Sequence, residues 1–314
     1  MEDTVKQNKR WFLRIELAVL VCIVCIWVIK SVTIDIDSTK AAVLKQVVKI
    51  RPNSADAHFN LGNAYLDLGN YEGAIEAYKK TISIDPNDTN VYGYLTRCYL
   101  DTGRDEEAAE TLREIVRIEP NDDYAHLTLG NIYYNANSLE EAEESYKTVI
   151  RLNDQSQIAW RVDPKCFDAH LNLGHLYSDL GNYEKAIESY KEAIRLNPDH
   201  FDAHFALGGC HWELGHYEES IEATKQAINI RPDDCLARLV LGCHYRYSGH
   251  YEESVQVCKE AVEIDPDMGP AHYLLGKAYL KMGNKDLVLA EYEILKTLDE
   301  ELAKELLGRL QDEM

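Results

Sequence analysis

The chain has 314 residues, 54 acidic against 33 basic, and a formal charge of −21. That balance excludes a nucleic-acid-binding role, which needs clustered Lys and Arg to neutralise phosphates. A hydrophobic content of 46% is that of an ordinary folded protein, whereas 20 Tyr against 5 Phe is a skew that the fold must explain.

Residues 1–10 read as a short basic and polar tail. WFLRIELAVLVCIVCIWVIK follows, residues 11–30. Its uncharged core, Leu17 to Ile29, would be about 20 Å long as a helix, against a bilayer core of about 30 Å. Arg14 and Lys30 can snorkel to opposite interfaces, and Trp11 and Trp27 suit interfacial belts, with Glu16 the awkward member. No A-x-A-like cleavage site follows, so the segment reads as an uncleaved single-pass transmembrane anchor rather than a signal peptide. Lys6, Lys9, Arg10 and Arg14 precede it, which leans the N-terminus to the cytoplasmic side. Residues 31–37 are a linker.

Residues 38–54, STKAAVLKQVVKIRPNS, look like the second half of a repeating unit whose first half is missing. Leu44 and Val47 fall at packing positions and Pro52 closes the segment. Seven units follow, at 55–88, 89–122, 123–156, 167–200, 201–234, 235–268 and 269–298. Leu-Gly pairs mark them, as at Leu61-Gly62, Leu129-Gly130, Leu173-Gly174 and Leu275-Gly276, with Leu95-Thr96 filling one gap. Three residues after the Gly stands Tyr65 or its equivalent, with His211 once. A small residue comes next (Ala74, Ala108, Ser220), then a larger one (Tyr78, Leu112, Tyr190), and a proline closes most units. Residues 299–314 read as an amphipathic capping helix with an acidic start.

Each unit has two apolar stretches at helical spacing, separated by Gly69, Gly103, Asn137, Gly181, Gly215, Gly249 or Gly283. A tight turn between helices needs a left-handed residue, and Gly then Asn tolerate that best. The Leu-Gly pair lets two helices approach closely. One such hairpin cannot bury its apolar face alone, so stacked units share a continuous core.

In these residues the chain resembles the tetratricopeptide repeat (TPR) family, from residue 55 to about 300. The resemblance implies an all-α, right-handed superhelical solenoid with a concave groove lined by first helices. His58, Tyr92, His126, His170, His204, Arg238 and His272 stand where the family usually has Trp. The family's chaperone-binding clamp is not complete here, since the early groove positions are Phe59, Asn63, Gly93, Arg97, Leu127 and Asn131.

QIAWRVDPKC, residues 157–166, breaks the 34-residue period. Its first four residues match a unit's start and its last six match a unit's end, so it reads as a collapsed repeat. Ten residues cannot supply two packed helices. The expectation is two blocks, 38–156 and 167–312, with an irregular joint and Trp160 covering one exposed end.

No phosphate-binding, nucleophile-elbow or zincin motif occurs, so neither catalysis nor a cofactor is expected. Among the eight Cys, only Cys22 and Cys25 form a C-x-x-C pair, and that lies in the apolar run. Cys210-His211 and Cys243-His244 are the best metal candidates, but packing is the expected role and no metal site is assigned. Family geometry places positions 2, 5, 9, 12 and 13 of each unit on the concave side. The candidate partner-binding residues are therefore Asp168, His175, Asp179, Asp202, Phe205, Trp212 and Glu213, then Leu239, Arg246, Tyr247, Tyr273, Lys277 and Lys281. The first set is acidic and the second basic. The expected function is a membrane-tethered scaffold binding a protein or peptide partner, not an enzyme. The alternatives are a self-associating subunit of a membrane-bound assembly, or a metal-binding or regulatory subunit of an enzyme complex.

Overall fold

The structure is a computed structural model describing residues 37–155 and 164–312. Among these residues the regular structure is sixteen α-helices, with no strand. Two compact units divide the chain between Ala125 and His126.

The first unit contains α1 (residues 37–50), α2 (Ala55–Asp67), α3 (Tyr71–Ile84), α4 (Thr89–Asp101) and α5 (Asp105–Ile118), and ends in the first turn of α6 (Asp123–Asn135). The second continues α6 and adds α7 (Leu139–Gln155), α8 (Pro164–Asp179), α9 (Tyr183–Leu196), α10 (Phe201–Glu213) and α11 (Tyr217–Ile230). It closes with α12 (Cys235–Tyr247), α13 (Tyr251–Ile264), α14 (Gly269–Lys281), α15 (Lys285–Leu298) and α16 (Glu300–Asp312).

The turns follow the sequence. Asn137 has φ 59°, and the six turn glycines have φ between 68° and 84°. The next helix is often capped by a side chain, as when Asn70 Oδ1 accepts from Gly73 N at 3.0 Å.

The Leu-Gly position works by contact with a ring. A Cβ at Gly62, Gly130 or Gly174 would lie 2.5–2.6 Å from Cε1 of Tyr78, Tyr146 or Tyr190. These three rings are buried to 1% exposure or less. Their hydroxyls explain why Tyr and not Phe recurs. Tyr78 donates to Asn63 Oδ1 at 2.8 Å, Tyr146 donates to Asn131 Oδ1 at 2.9 Å, and Tyr190 pairs with His175 Nδ1 at 2.9 Å. Burial pushes all three phenols above their usual range. Where Thr96 replaces the glycine, Leu112 replaces the tyrosine, and Thr96 instead hydrogen-bonds Thr111 at 2.8 Å.

Residues standing in for the family's Trp have a second use. The ring Nε2–H of His58 donates to the carbonyl of Pro52 at 3.0 Å, His204 to Pro198 at 2.9 Å and His272 to Pro266 at 3.1 Å. Tyr92 does the same to Pro86 at 3.3 Å, and Arg238 donates to Pro232. Five of the seven repeats are thus tied to the proline that precedes them. A carbonyl left orphaned by helix termination is satisfied in this way.

Two expectations are corrected. The two-block arrangement is not found, because the described helices on either side of residues 156–163 share one core. Leu127, Tyr146 and Val149 from α6 and α7 pack in the same cluster as Leu173, Leu176 and Tyr190 from α8 and α9. Asn172 Nδ2 also donates to Asn131 Oδ1 at 2.9 Å. Helix α8 begins at Pro164, since proline is tolerated in the first turn, and Cys166 is already buried. Trp160 lies outside the described residues.

The second correction concerns the membrane. Among the described residues no helix is long and apolar enough to cross a bilayer. Helices α2 to α16 have 13 to 17 residues, about 20–26 Å, and bury one face while keeping charge on the other. The segment 11–30, on which the single-pass, cytoplasmic-N-terminus assignment rested, lies outside the described residues. Membrane localisation is therefore withdrawn.

Candidate functional site

All thirteen candidate groove residues belong to the second unit, on the first helices α8, α10, α12 and α14. Helix α8 touches α10, α12 touches α14, and Trp212 of α10 stacks on His244 of α12, so these helices form a common face. Apolar residues one turn away hold them in place. Leu173, Leu207, Leu241 and Leu275 are all buried, each contributing about 1.5–3 kcal/mol by removal from water.

The acidic half is on α8 and α10. Asp168, Asp179, Asp202 and Glu213 are all exposed. Tyr134 of α6 donates its hydroxyl to Asp179, and burial, then that bond, raises the phenol to about 12. Asp202 has a loose ion pair with Arg231 Nη1 at 3.6 Å. His175 is half-buried and turned to Tyr190, with ring centroids 5.4 Å apart, and desolvation depresses its pKa. It supports the hairpin. Phe205 stacks on Phe201 at 5.6 Å.

An aromatic cluster stands between the halves. The half-buried Trp212 stacks on His244 at 4.5 Å, meets Tyr247 edge-on at 5.1 Å and tilts against Tyr217 at 5.1 Å. Tyr247 is 60% exposed, so this cluster presents apolar area to solvent. His244 is fixed from below. Ser220 donates to Gly208 O at 2.8 Å, which leaves its oxygen to accept from His244 Nδ1–H at 3.0 Å. Burial holds His244 neutral, pushed down to about 4.

The basic half is on α12 and α14. Leu239 is partly buried against the C-terminal core. The Arg246 guanidinium lies 4.0 Å from the Tyr247 ring centroid, and the Lys277 ammonium 4.8 Å from that of Tyr273. Tyr273 donates its hydroxyl to Glu305 of α16. Lys281 is exposed. Arg246, Lys277 and Lys281 line one cavity together with Arg309 of α16. Sequence reasoning gave α16 only a capping role, so it missed Arg309 and Glu305. Their spacing of four on an amphipathic helix was the available signal.

The Cys-His pairs do not converge. Cys210 Sγ faces Ser178 Oγ at 3.8 Å, and the described residues bring no group of three metal-ligating side chains together. Burial raises the thiols of Cys210, Cys243 and Cys258, the last to about 12, against the thiolate form a metal takes.

Family models described as tetratricopeptide repeat match residues 55–88, 107–161 and 171–234, and one described as TPR repeat matches 242–283. Among solved structures, the MamA protein is 26% identical, with 57% of this chain and 92% of that chain covered and a TM-score of 0.51. YrrB, described as a TPR protein with an unusual peptide-binding site, is 21% identical over 63% of this chain and 97% of its own, with a TM-score of 0.53. The C-terminal part of a TPR repeat-containing protein from Cytophaga hutchinsonii is 15% identical over 79% and 99%, with a TM-score of 0.65. The last two likenesses show the fold alone. No curated protein matches the chain.

Proposed function

Because this chain belongs to the tetratricopeptide repeat family, we propose that it is a non-catalytic binding module whose second unit holds a segment of a partner protein along its first helices. One observation carries this reading. A single face combines exposed Asp168, Asp179, Asp202 and Glu213, the Trp212–Tyr247 cluster, and then Arg246, Lys277 and Lys281. Aromatic residues of this kind serve as interface anchors, while flanking charges set orientation and encounter rate. The peptide-binding site ascribed to YrrB, a similar fold, is consistent with it. The partner segment presents a basic end to α8 and α10 and an acidic end to α12 and α14.

The test takes a partner captured on the full chain and measures its association and dissociation rates. Reversing Lys277 and Lys281 to Glu slows association, and does so more at low salt. Trp212→Ala speeds dissociation instead. If neither variant alters the affinity of a partner that binds the native chain, the proposed face is wrong.

A further inference from the structure

Two cavities of this protein occupy the same place in the repeat and differ in size and charge. One, of about 670 Å³, lies in the first unit between the second helices α1 and α3, with α2 as its floor. The other, of about 280 Å³, lies in the second unit between α11 and α13, with α12 as its floor. By repeat register Val48, His58, Leu61, Ala77 and Lys80 of the first correspond to Ile228, Arg238, Leu241, Val257 and Glu260 of the second. Second helices wall both, whereas the face proposed above is built from first helices.

The larger volume has three sources. Ala77 is shorter than Val257, which deepens the floor. In the smaller cavity an ion pair joins Arg238 to Glu260 at 3.4 Å. In the larger one His58 bonds the Pro52 carbonyl instead, and a lysine stands in place of the acid. Gly73 lines the larger cavity at a position where every other unit has a longer side chain, namely Glu107, Glu141, Lys185, Glu219, Glu253 or Leu287.

The same changes set the chemistry. The floor is apolar, with Leu61 and Ala77 buried and Tyr65 half-buried. Lys79 and Lys80 are exposed at the rim, and the Lys45 ammonium lies 5.2 Å from the Tyr65 ring centroid. Three lysines against Glu76 leave a local excess of two positive charges (3 − 1), in a chain of net charge −21. Along α3 the lining runs from Gly73 to Ser83, about 15 Å of helix. A trough with helical walls and an apolar floor of that length fits a third helix lying between the two.

We infer that the α1–α3 trough is a docking site for an acidic amphipathic helix of a partner protein. Its apolar residues cover Leu61, Tyr65 and Ala77, and its carboxylates meet Lys45, Lys79 and Lys80. The site does not rest on the face proposed for the second unit.

The test selects a library of random peptides displayed on phage against the full chain, then measures a recovered peptide by fluorescence anisotropy. The recovered sequences carry acidic residues and apolar residues at helical spacing. Ala77→Val combined with Lys80→Glu copies the narrower trough and weakens binding about tenfold. Exposed Lys80→Glu alone gives a smaller loss with no risk to the fold, and thermal melting by circular dichroism confirms that each variant is folded. Lys259→Glu, exposed on α13, changes nothing, and neither does reversing Lys277 and Lys281 to Glu. Peptides that bind the double variant as tightly as the native chain overturn the inference, as do recovered sequences that are basic. Loss on reversing Lys277 and Lys281 but not on Lys80→Glu assigns the peptide to the second unit and overturns it too. So does sedimentation with anionic phospholipid vesicles that Lys80→Glu abolishes while no peptide is recovered, because the trough then meets a membrane surface.

Discussion

Replacing Gly174 by alanine adds one methyl group where the hairpin has no room for it. The new Cβ would lie 2.5, 2.7 and 2.9 Å from Cε1, Cδ1 and Cζ of Tyr190. Carbon atoms prefer about 3.5–4.0 Å, so the overlap is roughly 1 Å across one edge of the ring. Tyr190 is 1% exposed and its hydroxyl is tied to His175 Nδ1, so the ring cannot swing out without breaking that bond. Overpacking of this kind costs about 1–3 kcal/mol, and loss of the hydrogen bond about 1 kcal/mol more. Better helix propensity returns about 1 kcal/mol. The net loss is about 1–3 kcal/mol. Gly209→Ala on α10 is the control, since its Cβ meets nothing within 4 Å, and it stabilises by about 0.5–1 kcal/mol. The repeat itself supplies the rescue, because Leu112 replaces Tyr where Thr96 replaces Gly. Gly174→Ala combined with Tyr190→Leu should therefore be less unstable than the two single changes added together, with a coupling of about 1 kcal/mol or more. Urea unfolding followed by circular dichroism reads all four proteins. Additive losses, or a stabilising Gly174→Ala, would refute the close-approach argument.

Three other outcomes follow from the same geometry. Stability should fall as pH drops from about 6.5 toward 4, because buried His244 stays neutral in the fold, at about 4 against 6.5 for a free imidazole, while the unfolded chain takes up its proton. That one residue accounts for about 3 kcal/mol, His170, His175 and His211 act in the same direction, and flat stability between pH 7 and pH 5 would contradict this. Gly181→Ala, at φ 69°, should cost about 1–2 kcal/mol, whereas Asn137→Gly, at φ 59°, should be close to neutral by thermal melting. His204→Phe should keep the ring's packing but free the Pro198 carbonyl, and amide exchange at the start of α10 should quicken; unchanged exchange would mean that this bond does not tie one repeat to the next.

Much of the fold was legible because it is local and periodic. Gly181 and Asn137 announced the turns through their backbone freedom, and Leu173-Gly174 with Tyr190 announced the hairpin core. The pairing between repeats was not legible. The bond from His204 to the Pro198 carbonyl depends on how one repeat is displaced from the next, which spacing along the chain does not encode. At the C-terminal end Val288 stands where other units have Ala or Ser, Tyr292 is only partly buried, and Leu306 of α16 takes the place against Gly276, 2.5 Å from an added Cβ. A cap that enters the core brings Arg309 to the groove, and no repeat pattern extends that far. For the candidate site, the charges that the spacing assigned to first helices do lie on α8, α10, α12 and α14. The spacing did not show that His175 is used internally, since its bond to Tyr190 crosses from one helix to the next.

The central claim is that a partner lies along the first helices of the second unit. Photo-crosslinking measures this directly, with a photoreactive amino acid placed singly at Phe205, Tyr247 and Lys281, and at exposed Glu188 on the second helix α9. The account predicts that a partner captured on the full chain crosslinks from the first three positions and not from Glu188. Crosslinks from Glu188 with none from Phe205, Tyr247 or Lys281 would contradict it.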